Sequence, residues 1–157
     1  MKKPKIKIRK FKKERAKEVC KLIIDCFNEF VAPSFSKKAS NEYLARVTPE
    51  ILIENSKSKE RDIYVAIKNN QIIGIIEGVK NYRIVWLFVN KKFYKKGIGK
   101  KLVNKIESIF KKRGGKIMKI RSSLYSVKFY EKIGYKKSRG IVKTKKGVVF
   151  QPMKKIL

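Results

Sequence analysis

The pattern of apolar and polar residues is clearest in the middle of the chain. Residues 84–89 are all β-branched, aliphatic or aromatic and are flanked by polar residues, which is typical of a buried strand. A basic loop containing Gly97 and Gly99 follows this run. Apolar residues then recur at helical spacing until Gly114-Gly115 ends the pattern, at Ile98, Leu102, Val103, Ile106, Ile109 and Phe110. The stretch predicts a strand, a glycine loop and a helix in direct succession.

Helical patterns also occur before this stretch. Apolar residues share one stripe over residues 14–31, and Ala32-Pro33 ends that pattern. We expect a short helix over residues 39–45. Another helix begins at Thr48-Pro49-Glu50 and runs to about Asn55, because this start combines an N-cap hydroxyl, a proline at the first position and an acid in the first turn.

Strand patterns account for most of the remaining chain. Turn signals at Asn69-Asn70 and at Lys145-Lys146-Gly147 predict two hairpins. The further predicted strands cover residues 5–9, 63–67, 72–79, 116–122, 135–142 and 148–153. These patterns predict an α/β (α+β) fold with a mixed, mostly antiparallel central sheet and helices on both faces, in a single domain over residues 1–157.

Length and composition agree with a globular chain. The 157 residues are 43% hydrophobic and 11% aromatic, which suits one domain with a substantial core. No continuous apolar segment follows the basic start Met1-Lys2-Lys3-Pro4, and no apolar run approaches the roughly 20 residues of a membrane helix. We therefore expect a soluble, cytoplasmic protein without a signal peptide or membrane contact.

The charge is extreme and unevenly placed. The chain carries 43 Lys and Arg against 12 Asp and Glu, a formal net charge of +31. Between residues 78 and 157 the only acids are Glu107 and Glu131. Such a field attracts polyanions without sequence preference, so nonspecific contact with nucleic acid is one expectation. A lysine-coated, solvated surface is the competing interpretation.

Histidine is absent, and cysteine occurs only at Cys20 and Cys26. A histidine-based triad and histidine metal ligation are therefore excluded, and two cysteines provide no structural zinc site. The two cysteines lie on different faces of one predicted helix, where we expect them to be small buried hydrophobic residues that do not form a disulfide. The chemistry should need neither a metal nor imidazole.

A strand that leads through a glycine loop into a helix leaves backbone N–H groups free to bind phosphate. A dinucleotide fingerprint would need a third glycine where Leu102 stands, and a P-loop would need Ser or Thr in place of Lys101. The remaining interpretation is the motif Val89-x-x-x-x-Tyr94-x-x-Gly97-x-Gly99. It resembles the acetyl-CoA loop of the GNAT acetyltransferases, although Gln or Arg usually stands where this chain has Tyr94.

A second motif lies after the predicted helix and strand. Residues 126–135 read Ser-Val-Lys-Phe-Tyr-Glu-Lys-Ile-Gly-Tyr, which resembles the family segment "A-x-x-F-Y-E-K-x-G-F". Taken alone, this segment could be a helix face that packs on the sheet. With both motifs in the family's order, the chain is identified as similar to GNAT acetyltransferases and is expected to adopt their fold.

The resemblance implies that acetyl-CoA is the cosubstrate and that no metal is used. Backbone groups of Leu87, Phe88 and Val89 would bind the pantetheine arm as an added strand does. Ser123 falls where the family often has a cofactor-binding Asn. The residues expected around the pyrophosphate are Tyr94, Lys95, Lys96, Gly97, Ile98, Gly99 and Lys100. A Cβ atom at Gly97 or Gly99 is expected to crowd the pyrophosphate.

Two catalytic roles follow from the resemblance. Tyr130 matches the family tyrosine that protonates the departing CoA thiolate. Many members use a carboxylate on or near the central strand as general base, but residues 84–89 contain none. Glu77 on the preceding strand is the nearest candidate, acting directly or through water, and a salt bridge is the competing interpretation.

Two functions remain open at this point. One is an N-acetyltransferase, monomeric or homodimeric, that moves acetyl to a primary amine on a small molecule or protein. The other is a basic, nucleic-acid- or ribosome-associated protein with little catalysis. For an enzyme we expect a locally less positive mouth on the acceptor side, because several acids fall in the segment that forms it in the family: Glu42, Glu50, Glu54, Glu60 and Asp62.

Overall fold

Antiparallel pairing builds the first half of the sheet. In the computed structural model, which describes residues 5–157, the first four strands are antiparallel neighbours. They are β1 (Lys7–Lys10), β2 (Arg61–Lys68), β3 (Gln71–Val79) and β4 (Arg83–Val89). Asn69 and Asn70 join β2 to β3 with φ angles of 49° and 61°, as a two-residue hairpin turn requires. The predicted hairpin is confirmed.

The second half of the sheet is built around its last long strand. β5 (Ile117–Ser122) runs parallel to β4 and antiparallel to β8 (Val149–Ile156). The short strands β6 (Lys136–Lys137) and β7 (Val142–Lys143) also pair with β8. Within residues 5–157 the sheet has eight strands in the order β1-β2-β3-β4-β5-β8-β6, with β7 on β8 beside this path.

The predicted continuous strand over residues 135–142 is wrong. Within this range only β6 and the first residue of β7 are in strands. Pro152 of β8 has no N–H to donate to a facing strand. The side chain of Gln151 instead donates to the carbonyl of Arg139 at 2.6 Å, inside the segment that separates the two short strands.

Five α-helices connect the strands in the described part of the chain. They are α1 (Ala16–Cys26), α2 (Lys37–Leu44), α3 (Pro49–Ser56), α4 (Ile98–Lys112) and α5 (Val127–Lys132). α1 continues through a π-helical turn, Phe27–Val31, so the predicted helix over residues 14–31 is confirmed with a change of winding. Thr48 caps α3 as predicted, because its hydroxyl accepts a hydrogen bond from the amide of Ile51 at 3.3 Å.

Apolar side chains pack on both faces of the sheet. α1 and α3 cover one face, where Val19, Leu52 and Trp86 belong to one core. α4 and α5 cover the other, where Leu102 and Tyr130 belong to a second core. The predicted fold class, a mixed and mostly antiparallel sheet with helices on both faces, is confirmed.

Two further sequence expectations can be compared with the structure. Cys20 and Cys26 are free thiols, both buried, as predicted. Within residues 5–157, none of the helices combines the length and the apolar character that crossing a membrane would take.

Candidate functional site

The site begins where β4 and β5 separate. The two parallel strands pair only at Arg83 with Lys119 and at Ile84 with Ile120. On its other edge β4 stays paired with β3 as far as Val89, through a bulge at Val85. The later residues of β4 therefore present an open edge towards β5.

The backbone direction along this open edge follows from one hydrogen bond. The amide of Asn90 donates to the carbonyl of Ile73 at 2.8 Å, so it points towards β3. Backbone groups alternate sides along a strand, so Phe88 also faces β3, whereas Leu87 and Val89 face the opening. The carbonyl of Val89 is indeed on the open side, where it accepts from the thiol of Cys26 at 3.5 Å.

The opening widens into a cleft of about 950 Å³. Its walls come from β4, the start of α4, β5, α5, the end of α1, α2 and the β7–β8 hairpin. The side chain of Ser36, just before α2, donates to the carbonyl of Lys146 in that hairpin at 2.9 Å. This contact ties the start of α2 to the hairpin, and both elements contribute residues to the cleft wall.

The glycine loop lies at the other end of the cleft. Lys95 and Gly97 have left-handed φ angles of 61° and 76°, and Gly97 is the N-cap of α4. Left-handed residues next to a helix start turn several amide groups towards one place, and the helix dipole adds positive potential there. The loop can therefore hold a phosphate group.

Gly97 and Gly99 are glycines for different structural reasons. A Cβ atom on Gly97 would meet nothing within 4 Å, but its φ angle favours glycine. A Cβ atom on Gly99 would lie 3.0 Å from the ring of Phe129 in α5. Gly99 thus allows α4 and α5 to approach closely, a role that the sequence-based expectation about pyrophosphate crowding did not include.

Most of the residues predicted to bind the cofactor line the cleft. They are Leu87, Phe88, Val89, Tyr94, Lys95, Gly97, Ile98, Gly99, Lys100 and Ser123. Lys96 is not part of the lining, and its ammonium lies 5.5 Å from the centre of the Phe93 ring. The hydroxyl of Ser123 donates to that of Ser126 at 3.0 Å, so a neighbouring side chain already engages it.

Tyr94, which departs from the family motif, is half-buried in the cleft wall. Its ring centre lies 5.7 Å from that of Phe30, and Phe30 stacks on Tyr125 at 4.5 Å. Burial raises the pKa of Tyr94, so the phenol stays neutral. This residue contributes aromatic surface to the cleft in place of a polar side chain.

Tyr130 lies on α5 and lines the cleft with 3% of its surface exposed. Its ring packs edge-on against those of Phe129 and Tyr135, at centre distances of 5.0 and 5.4 Å. Burial, followed by the nearby Tyr43, raises the pKa of Tyr130, so its hydroxyl keeps its proton at neutral pH. The side chain is fixed by packing and can donate a hydrogen bond into the cleft.

Glu77 is placed differently. It is fully buried, forms an ion pair with Arg61 and is absent from the cleft lining. Its second oxygen, Oε2, is buried without a hydrogen-bond partner in the described part of the chain. Burial raises the pKa of Glu77, although Arg61 opposes this shift. A catalytic role for this carboxylate would have to act through water.

The end of the cleft beyond the opening contains residues that the sequence analysis did not single out. Tyr43 of α2 stacks on Phe27 at 4.2 Å and lies near Trp86 of β4. Three arginines also line the cleft: Arg46, Arg83 and Arg121. No local motif marks these residues, because α2, β4 and β5 bring them together from distant parts of the sequence.

The predicted less positive mouth is wrong in its placement of the acids. Of the five acids named for it, only Glu42 lines the cleft. Asp62 forms an ion pair with Arg113, and Glu60 forms one with Lys80, both away from the lining. Asp62 and Glu60 therefore neutralise lysine and arginine charges on other surfaces of the protein.

The fold is shared with solved acetyltransferases. The PaiA N-acetyltransferase from Thermoplasma acidophilum, solved in complex with coenzyme A, matches with a TM-score of 0.80 at 21% identity over 98% of this chain and 99% of that one. A GCN5-related N-acetyltransferase from Rhodopseudomonas palustris matches with a TM-score of 0.81 at 18% identity over 100% and 98%. The aminoglycoside 6'-N-acetyltransferase from Enterococcus faecium matches with a TM-score of 0.68 at 19% identity over 96% of each chain.

The sequence itself matches a family model. The model describes an acetyltransferase (GNAT) domain and covers residues 31–157, which include the open edge of β4, the glycine loop and α5. The chain belongs to the GNAT acetyltransferase family.

Proposed function

We propose that this protein transfers an acetyl group from acetyl-CoA to a primary amine of a small molecule or protein. The observation that carries the proposal is the open edge of β4, which leads directly to the glycine loop at the start of α4. Tyr130 stands on the wall of the same cleft. The coenzyme A bound to the structurally similar PaiA protein supports the choice of cosubstrate.

The cofactor would bind mainly through the backbone. The pantetheine arm would hydrogen-bond to Leu87 and Val89, which face the opening, and so extend β4 as an added strand does. The pyrophosphate would accept hydrogen bonds from amides of residues 97–100, with Lys95 and Lys100 adding positive charge. Phe88 would contribute its side chain, because its backbone already faces β3.

The reaction is an aminolysis of the thioester. The neutral amine attacks the acetyl carbonyl carbon, and the resulting oxyanion accepts a hydrogen bond from a backbone amide of β4. The carbonyl then re-forms as the C–S bond breaks, and the CoA thiolate leaves beside the hydroxyl of Tyr130 and takes up the second proton that the amide nitrogen releases. Since burial raises the pKa of Tyr130, its main contribution is a hydrogen bond to the thiolate.

The attacking amine must lose a proton. An alkylammonium with pKa near 10.4 is mostly protonated at neutral pH, and deprotonating it costs about 4–5 kcal/mol. Glu77 would accept this proton through a water chain, since it lies behind the cleft wall. A single acetyltransferase domain over residues 1–157 would contain all of these groups.

A thiol-release assay tests the proposal. Acetyl-CoA is incubated with the protein and a broad panel of amines, amino acids, polyamines and peptides, and the acetylated product is identified by mass spectrometry. We expect amine-dependent release of CoA above a blank without amine. Acetyl-CoA binding without transfer, together with nucleic-acid binding that falls steeply with salt, would instead favour the basic nucleic-acid-associated function.

A further inference from the structure

Three guanidinium groups line one end of the cleft. Arg46 follows α2, Arg83 is the first residue of β4, and Arg121 lies on β5. Within residues 5–157, no carboxylate lies within 4 Å of any of the three. Glu42 is the one acid among the lining residues that the structure describes. This end of the cleft therefore has an excess of positive charge.

Arg83 has a hydrogen-bond donor without a partner at this end of the cleft. Its Nε atom is buried and has no hydrogen-bond partner among the described residues. Burial, and then the charges of Arg121 and Arg61, lower the pKa of Arg83. A buried donor without a partner destabilises the folded chain, and so does repulsion between cations. An anion placed here would relieve both.

The anion cannot be the pyrophosphate of the cofactor. Arg83 lies six residues before Val89 on β4, which corresponds to about 20 Å along an extended strand. The glycine loop follows Val89, at the far end of the cleft. Arg83 and Arg121 lie instead beside the place where β4 and β5 are last paired.

Glu77 offers a competing explanation for part of this cluster. Its carboxylate pairs with Arg61, and its free Oε2 could reach Arg83 through water. That explanation accounts for Arg83 alone. Arg46 and Arg121 are exposed to the cleft, and the Arg121 guanidinium lies 5.2 Å from the centre of the Phe150 ring, which holds it in place.

We infer that the acceptor is a small molecule that carries an acidic group, a carboxylate or a phosphate, in addition to its amine. This inference rests on the proposed acetyl transfer. Guanidinium groups bind both kinds of anion through paired, charge-assisted hydrogen bonds. The rings of Tyr43, Trp86 and Phe150 line the same cleft and would pack against the rest of the acceptor. Polyamines are disfavoured because they would bring further positive charge.

Matched pairs of acceptors test the inference. Phosphoethanolamine is compared with ethanolamine, and the proteinogenic amino acids are compared with their amides, by thiol release and product mass. We expect the acidic member of at least one pair to have the higher kcat/KM by about 10-fold or more, since charge-assisted hydrogen bonds have effects of this size. The two kinds of pair distinguish a phosphate from a carboxylate.

Arginine variants test which side chains produce the preference for an acidic acceptor. Arg46→Gln and Arg121→Gln alter exposed side chains and should leave the fold intact, while lowering kcat/KM for the preferred acidic acceptor by about 10- to 100-fold. Both should leave acetyl-CoA affinity unchanged. Arg9→Gln removes the same charge from the exposed surface of β1, outside the cleft, and should change nothing.

A binding measurement separates this inference from the proposed function. Phosphoethanolamine and the amino acids are titrated by calorimetry into protein saturated with CoA, which occupies the glycine loop. Binding that Arg121→Gln weakens supports the inference even without turnover. The absence of such binding, or a preference for the uncharged partners, overturns it. Rapid transfer to the uncharged partners would overturn only this inference and leave the acetyl transfer in place.

Discussion

Ile84 of β4 and Ile120 of β5 are the last residues at which these two strands pair. Both side chains are buried in the core beneath α4. The closed end of the opening is therefore held by core packing, and the open edge of β4 is part of the folded protein before any ligand binds. A preformed edge lowers the conformational entropy that the protein must lose when the cofactor binds.

The left-handed conformation of Gly97 leads to a prediction about stability and acetyl-CoA binding. Gly97 and Gly114 both have left-handed φ angles and room for an added Cβ atom, but only Gly97 lines the cleft. Gly97→Ala and Gly114→Ala should each destabilise the protein by about 1 kcal/mol or more through backbone strain. Only Gly97→Ala should weaken acetyl-CoA binding, measured by calorimetry. Equal acetyl-CoA affinity in the two variants would show that the glycine loop is not part of the cofactor site.

Gly99 should behave differently from Gly97. A larger residue at Gly99 meets the ring of Phe129, so Gly99→Val should lower thermal stability as well as acetyl-CoA affinity. Shortening the opposing ring with Phe129→Leu should recover part of the stability lost in Gly99→Ala. A double-mutant cycle measures this coupling. Independent effects of the two substitutions would show that the contact is unimportant.

Tyr130 makes a prediction about turnover. Tyr130→Phe keeps the ring packing and removes the hydroxyl, so kcat should fall by about 10²–10³-fold if thiolate departure limits the rate, as when one preorganised hydrogen-bond donor is removed. Acetyl-CoA affinity and thermal stability should change little. Tyr135→Phe is the matched control, because its hydroxyl hydrogen-bonds to Glu107 at 3.0 Å outside the cleft. That variant should lose stability and keep its turnover.

The opposite pattern for the two tyrosines would contradict this role. If Tyr130→Phe lowered the melting temperature and left kcat intact, Tyr130 would be a core residue only.

Glu77 makes a prediction about pH. Burial raises the pKa of this carboxyl, so a general base at Glu77 gives kcat/KM an acid limb above the ordinary glutamate pKa of about 4.3. Activity should rise with pH as the carboxyl ionises. Glu77→Gln should abolish this limb. If Glu77→Gln keeps the same pH profile and only lowers the stability, Glu77 is not the general base and its role is the ion pair with Arg61.

The two cysteines predict the pH dependence of reactivity and stability. Burial raises the pKa of each thiol from 9.0 to about 11. The thiols therefore contribute stability that is full below pH 9 and is lost as pH rises through about 11. Alkylation at pH 8 should be slow until the protein unfolds.

Acetyl-CoA should protect only one of these cysteines. Cys26 contacts the carbonyl of Val89 in the opening, whereas Cys20 lies on the same helix outside the cleft lining. Bound acetyl-CoA should slow the alkylation of Cys26 further and leave that of Cys20 unchanged, as peptide mass spectrometry can measure. Protection of both cysteines to the same degree would indicate a global change in stability instead.

The features that the sequence predicted well depend on local chemistry. The Asn69-Asn70 turn, the Thr48 cap and the loop before α4 each follow from residues that are close in the chain. The buried strand β4 was also predictable, because its apolar run is continuous. Its bulge at Val85 was not, since a bulge depends on the register with β3.

The features that the sequence did not predict depend on contacts between distant segments. The separation of β4 from β5 is set by which residues pair last, and Arg83, Arg46 and Arg121 meet only after three elements have packed. The strand predicted over residues 135–142 is interrupted where the amide of Ser138 donates to the carbonyl of Pro152 in β8, a residue that has no N–H to return a hydrogen bond. The partner of Glu77 likewise comes from the neighbouring strand.

Residue-resolved amide exchange tests the central claim most directly, namely that acetyl-CoA pairs with the open edge of β4. The amides of Leu87 and Val89 face the opening, whereas that of Phe88 faces β3. We predict that acetyl-CoA slows the exchange of Leu87 and Val89 and leaves Phe88 unchanged, in spectra recorded with and without the cofactor. Saturating acetyl-CoA that protects none of these amides, or all three equally, would contradict the account.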